Sequence, residues 1–154
     1  MTVASPLPVA GLTDTHFQLG SDRTIEQRPK PRAAARDDTP PTSSRHDGFT
    51  LGFHRIEGPD DVHYPHWEMH PAGDELLVLL SGALAVELAG GALWPLRPGT
   101  AFVVAAGTWH RLVVRAPAEL IAITPGRGTR HDADRPVSGR ADGSGHAAGN
   151  AGQG

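Results

Sequence analysis

Glu68, His70, Glu75 and His110 are the residues whose types and spacing could do chemistry in this chain. Imidazole and carboxylate are the ligands of divalent Zn, Fe, Mn and Ni. Glu68 and His70 stand two apart, so on a β-strand their side chains share one face. Glu75 opens the apolar run Leu76-Leu-Val-Leu-Leu80, which ends at Ser81-Gly82, a turn signal. Downstream, Gly99-Thr-Ala-Phe-Val-Val-Ala-Ala-Gly107-Thr-Trp-His110 carries a second histidine behind a second β-like run. Two hairpins that bring these four side chains into one interior would make a divalent-metal pocket.

The two segments resemble the paired motifs of the cupin superfamily. The first family motif reads His-x-His, three or four residues, Glu, six residues, Gly. Here stand Glu68-x-His70, four residues, Glu75, six residues and Gly82. The second reads Gly, five residues, Pro-x-Gly, two residues, His, three residues, Asn. Here stand Gly99, five residues, Ala105-x-Gly107, two residues, His110, and Val114 in the Asn place. The spacing is kept throughout, while the first His has become Glu68, the Pro Ala105 and the Asn Val114. The match covers roughly residues 49 to 124. It implies a small single-domain, metal-binding cupin, a β-barrel of the jelly-roll type. One superfold hosts many chemistries, so the motifs speak to fold before function.

The elements that must position these residues are short strands separated by turns. Phe49–Ile56 alternates, and Gly58-Pro-Asp-Asp61 turns the chain. Residues 62–70 read as the first ligand strand, with 75–80, 83–88, 92–96, 100–105, 110–115 and 119–124 following it. Ser81-Gly82 and Ala89-Gly-Gly91 read as hairpin corners, and Ala116-Pro-Ala118 as a tight corner. No window carries a helical period. The class is therefore all-β, a single jelly-roll barrel with disordered tails.

Composition narrows the rest. The 154 residues, with Gly 19 and Pro 14, suit one ordinary domain whose periodic core is shorter than the chain. Residues 1–47 read as a flexible arm, 48–131 as the barrel, and 132–154 as a disordered Gly/Ala-rich tail. Thr15–Leu19 is a candidate edge strand within the arm. Both ends are expected to bury little. A net charge of −3 without a basic stripe argues against nucleic acid as a partner. No apolar stretch approaches the ~18 residues of a membrane span, and no secretory signal is visible. Cysteine is absent, which removes thiolate ligands and a Cys nucleophile together. The expectation is a cytoplasmic protein.

Strand parity gives each candidate a face. With Glu68 and His70 inward, His66 and Tyr64 point inward too, while Trp67 and Met69 point out. Trp67 is then a candidate homodimer contact, and Trp67, Trp94 and Trp109 are otherwise packing residues. His66 either replaces the family's first histidine, orients a carboxylate, or sits solvated at the strand entrance. Glu75 shares its face with Leu77 and Leu79, and His110 with Leu112 and Val114, so the interior is an apolar cup with one polar cluster. Asp74 reads as a turn residue and Arg127 as a solvated loop residue.

Glu68 divides the chemistry. As a ligand, it completes a neutral site of two His and two carboxylates around Fe, Zn, Mn or Ni. Standing free, it leaves His70, Glu75 and His110 as a two-His-one-carboxylate set and becomes the catalytic acid/base. The resemblance implies a metal-dependent enzyme acting on a small organic molecule, by oxygenation, isomerisation, cyclisation or elimination. The alternative is a non-catalytic metal or small-molecule binding module, and a third reading is a barrel with a degenerate site.

Overall fold

The computed structural model describes residues 9–30 and 46–133. The outer parts of the arm, residues 1–8 and 31–45, and the tail beyond 133 lie outside the described residues. Nine strands carry the fold: β1 (Thr15–Gly20), β2 (Ile25–Pro29), β3 (Gly48–Ile56), β4 (Trp67–Met69), β5 (Glu75–Leu88), β6 (Leu93–Pro95), β7 (Thr100–Val104), β8 (His110–Pro125) and β9 (Arg130–Asp132). A single 3₁₀ turn, Pro59–Val62, is the only helical element among the described residues. The all-β expectation holds.

β5 and β8 form one antiparallel ribbon, from Leu76 opposite Ile123 to Leu88 opposite His110. Each had been expected as two strands meeting at a corner. The correction has a local cause. The register shifts between Leu79 and Leu84, so both strands bulge at the same level and bend together instead of reversing. Gly82 sits at that bend with φ +80°, and a Cβ there would lie 1.9 Å from the Pro117 carbonyl oxygen. Only glycine fits so close to the partner backbone.

Beyond the bend, each half of the ribbon collects its own neighbours. On one side β3 pairs with Ala118–Pro125 of β8, and β7 with Glu75–Leu79 of β5. On the other, β4 pairs with His110 and β6 with Ala85–Glu87. The two layers enclose Ile56, Leu77, Leu79, Leu84, Val86, Leu96, Val104, Leu112, Ala118, Leu120 and Ala122. Alternation along β5 and β8 accounts for all of these except Ile56, Leu96 and Val104, because every second residue of each half points between the layers.

The sheet is not closed into a barrel, which corrects the expected architecture. β6 and β7 pair only with β5, and the far side of the ladder ends at β2. β2 is a strand the sequence did not suggest, since Ile25-Glu-Gln-Arg-Pro29 is exposed at four of its five residues. Its Glu26 and Arg28 form an ion pair, and charged residues of this kind blunt an open edge. Thr15–Leu19, expected as an edge strand, is a strand, laid on β3 with Phe17 opposite Leu51, but it is not an edge, because β2 covers its other side.

Candidate metal centre

The four candidate residues converge. One ligand atom from each of Glu68, His70, Glu75 and His110 lies within 4.8 Å of all the others. Glu75 begins β5 and His110 begins β8, each at the open end of its half of the ribbon. Glu68 lies on β4 opposite His110, and His70 follows directly after β4. The loops behind the ligands are stitched together. Gly107 N–H donates to the His70 carbonyl (2.9 Å) and Ala106 N–H to Asp74 Oδ1 (2.8 Å). Asp74, read from sequence as a turn residue, ties its turn to the loop that precedes His110.

Burial grades the cluster. His110, His70 and Glu75 are buried, while the Glu68 side chain keeps 32% of its surface accessible. His110 Nδ1–H donates to the Thr108 carbonyl at 3.2 Å, which leaves Nε2 as the nitrogen that faces the cluster. Nε2 stands 2.9 Å from Glu75 Oε2 and 3.5 Å from Glu68 Oε1. His70 Nδ1 is hydrogen-bonded to Thr129 Oγ1 (3.0 Å), and its Nε2 also faces the cluster. That nitrogen is buried without a hydrogen-bond partner among the described residues, 3.4 Å from Glu75 Oε1. Thr124 Oγ1–H donates to the same Oε1 at 2.7 Å.

An imidazole lone pair cannot face an ionised carboxylate unless positive charge stands between them. In the protein alone a proton serves. Burial works against charge on both groups, but contact outweighs it. His110 is pushed up to about 10 by Glu68 and Glu75, despite desolvation. Glu75 is pulled down to about 2 by His110 and His70, again against desolvation. A divalent cation would fit the same place: it would satisfy both Nε2 atoms and both carboxylates at once, including the His70 nitrogen, which has no hydrogen-bond partner among the described residues. The donor set therefore fits a metal ion.

Parity before β4 is corrected. The 3₁₀ turn and the bend after it, with His63 at φ +55° and a cis Tyr64–Pro65 bond, occupy the stretch expected to be strand. The strand begins only at Trp67, so His66 and Tyr64 are exposed and do not point into the cup. Trp67, expected to face outward, is 2% accessible. Arg111 covers it, with the guanidinium 4.4 Å from the Trp67 ring and 4.9 Å from the Tyr64 ring. The same guanidinium donates to Glu87 Oε2 (2.8 Å) and the Pro65 carbonyl (3.1 Å). Trp67 is thereby withdrawn as a dimer contact. Trp94 is half exposed against Phe102 and not a core residue. Arg127 is the solvated loop residue expected, exposed and paired with Asp47 (3.0 Å) at the surface.

Thr108, Thr124 and Thr129 hydrogen-bond His110, Glu75 and His70 respectively and were not singled out from sequence. For Thr124 the signal existed, since it shares the inward parity of Leu120 and Ala122.

Residues 56–124 match the family model for the Cupin domain. The chain therefore carries a cupin domain and falls within the cupin superfamily. A search of the curated proteins finds no match. Among solved structures, a protein from Neisseria meningitidis is 25% identical, with a TM-score of 0.42 over 51% of this chain and 74% of that one. A cupin-2 domain containing protein from Shewanella frigidimarina is 19% identical, with a TM-score of 0.42 over 50% of this chain and 70% of that one. Salicylate 1,2-dioxygenase from Pseudoaminobacter salicylatoxidans is 18% identical, with a TM-score of 0.47 over 58% of this chain and 26% of that one. No helix among the described residues is long and apolar enough to cross a membrane.

Proposed function

We propose that this chain is a metal-dependent cupin enzyme acting on a small organic molecule, with Glu68, His70, Glu75 and His110 holding one divalent cation of the Fe, Zn, Mn or Ni kind. One observation carries the reading: two buried imidazole Nε2 atoms face two carboxylates, and that of His70 has no hydrogen-bond partner among the described residues. A bound divalent ion would supply a Lewis acid that polarises a substrate oxygen. Two carboxylates against two positive charges leave the site formally neutral, which an apolar cup tolerates.

The chain's own residues divide the remaining work. Thr108 and Thr129 fix the ring orientations from behind, and Thr124 holds the Glu75 carboxylate. Hydrogen bonds from behind a ligand set its tautomer and direction. Leu77, Leu112 and Val86 keep water from the floor of the cup. Glu68 is the cluster's accessible member, so an incoming molecule meets it first. Its looser 3.5 Å contact with His110 suits a fourth ligand that detaches and moves a proton at its Oε1.

The test is elemental analysis of protein purified without added metal, followed by turnover screening of the metal-loaded form. Near-stoichiometric metal with turnover supports the enzyme. Metal without turnover favours a binding module, and a metal-free protein that takes up none of the four ions sinks the reading.

A further inference from the structure

Glu68 rides on a small appendage of the sheet. Among the described residues β9 pairs with β4 alone, from Trp67 opposite Asp132 to Met69 opposite Arg130. β4 in turn meets the rest of the sheet at a single register pair, Glu68 opposite His110. The two short strands form a flap whose ladder to the ribbon is that one rung.

The other ligands have ties of their own. Gly107 N–H holds the His70 carbonyl at 2.9 Å, and Thr129 Oγ1 holds the His70 ring at 3.0 Å. Thr124 supports Glu75, and the Thr108 carbonyl supports His110. Glu68 lacks such support. Its carboxylate rests against His110 Nε2 at 3.5 Å, and no side chain outside the cluster hydrogen-bonds it among the described residues.

What fixes the flap lies on its back. Trp67 and Arg111 are the chain neighbours of Glu68 and His110, so alternation turns both away from the ligand face. There the Arg111 guanidinium lies 4.4 Å from the Trp67 ring and 4.9 Å from the Tyr64 ring. It also donates to the Pro65 carbonyl at 3.1 Å. Its other anchor is Glu87 of β5, its register partner across the ribbon, at 2.8 Å. The side chains of that ion pair are only 15% and 16% accessible, so salt screens their attraction little. A planar guanidinium stacks on rings and forks to two oxygens at once. One side chain thus joins the ribbon to the flap directly behind the Glu68–His110 pair.

We infer that Arg111 is the positioning residue for Glu68: its clasp on Trp67, Tyr64 and Pro65 holds the β4–β9 flap, and with it the fourth ligand, against the ribbon. This rests on the proposed metal site and deepens it. Arg111 touches neither the ion nor a substrate. Without it the flap pivots about its one rung, and the Glu68 carboxylate leaves the cluster while His70, Glu75 and His110 keep their supports.

The test is a double-mutant cycle read as Co(II) affinity, by competition with a chromophoric chelator. Arg111→Met keeps the length and apolar contact of the side chain and removes its donors. It should weaken Co(II) binding about 10-fold, as loss of a group that orients a ligand does. In a Glu68→Gln background the same change should alter affinity by less than about 2-fold, because the residue it positions is already gone. Equal losses in both backgrounds would make Arg111 a general stabilising residue and overturn the inference. Amide hydrogen exchange supplies a readout that needs no metal. Arg111→Met should speed exchange of the β4 amides at least about 10-fold and leave those of Leu77–Leu79 in β5 at parent rates. Unchanged β4 exchange also overturns the inference. Should Arg111→Met fail to fold, Glu87→Gln, which frees the guanidinium from its far anchor, carries the same comparisons. If the parent takes up no Co(II), or Glu68→Gln alone leaves its affinity unchanged, the proposed ligand set fails. Exchange then decides this inference alone: acceleration confined to the flap upholds the clasp, and a uniform or absent change ends it.

Discussion

His110 and Glu75 sit at opposite ends of the β5–β8 ribbon and still meet, Nε2 to Oε2, at 2.9 Å. Straight strands would hold them apart: Leu88, the partner of His110, is thirteen positions beyond Glu75, and an extended chain of that length spans roughly 43 Å. The bend at Gly82 closes that distance. The candidate site is therefore made by the fold of one ribbon on itself, and its integrity depends on residues far from any ligand.

Gly82→Ala is expected to be among the most damaging single changes. The added methyl group meets the Pro117 carbonyl, and alanine is strained at a φ of +80°. A loss of about 2–4 kcal/mol in urea unfolding is expected, with weaker metal uptake in whatever folds. Unfolding curves that overlay those of the parent would show that the bend tolerates a side chain.

His70→Ala and His110→Ala should each lower bound metal at least 10-fold by elemental analysis, because each removes one of two nitrogen donors. His16→Ala, on the distant β1, should leave metal content unchanged. Equal metal in all three variants would remove the metal site and leave the fold standing.

Glu68→Gln separates the two roles of that carboxylate. If Glu68 holds the ion, the variant loses metal and Glu68→His recovers it. If it moves a proton, metal stays and turnover falls about 10²–10⁴-fold. Retention of both metal and turnover would make Glu68 a bystander.

The metal-free protein should have a stability maximum between roughly pH 4.5 and 6.5. Glu75, pulled down to about 2, contributes fully above the unfolded glutamate range and loses its contribution as pH falls toward 2. His110, pushed up to about 10, contributes fully below the unfolded histidine range and loses its contribution as pH rises toward 10. Metal should abolish the alkaline decline, since the ion replaces the proton. Thermal melts from pH 3 to 10, with and without Zn(II), are the check, and a flat alkaline limb in the metal-free protein would speak against the pairing.

Removing residues 1–44 should lower the melting temperature by about 5–15 °C, whereas removing 134–154 should not. The sequence suggested that both ends bury little, but β1 pairs with β3, and its loss bares an edge. Equal melting of both truncations would mean that the β1–β2 hairpin adds nothing.

Much of the site was legible because it lies on regular strands. Alternation along β5 and β8 placed Glu75 with Leu77 and His110 with Leu112, and the structure keeps both pairs on the inner face. What failed had non-local causes. Ser81-Gly82 and Pro117 look like corners one at a time, and only their coincidence across the ribbon makes a bend. Parity before Glu68 was carried through a stretch that a 3₁₀ turn interrupts, so His66 and Tyr64 were placed on the wrong side. Trp67 looked available for a partner because nothing in sequence announces that Arg111, from another strand, will lie on it. The polar β2 has no apolar alternation to betray it, and it is a strand only because β1 gives it a ladder.

The closeness of Glu75 and His110, 35 residues apart, gives a bound ion a second role as a buckle. It would tie together two chain positions whose encounter in the unfolded state is entropically unfavourable, much as a crosslink does. At a free metal concentration a thousand times its dissociation constant, the buckle would add about 4 kcal/mol to folding. Release of the ion and opening of the ribbon at Gly82 would then be one event, seen from its two ends.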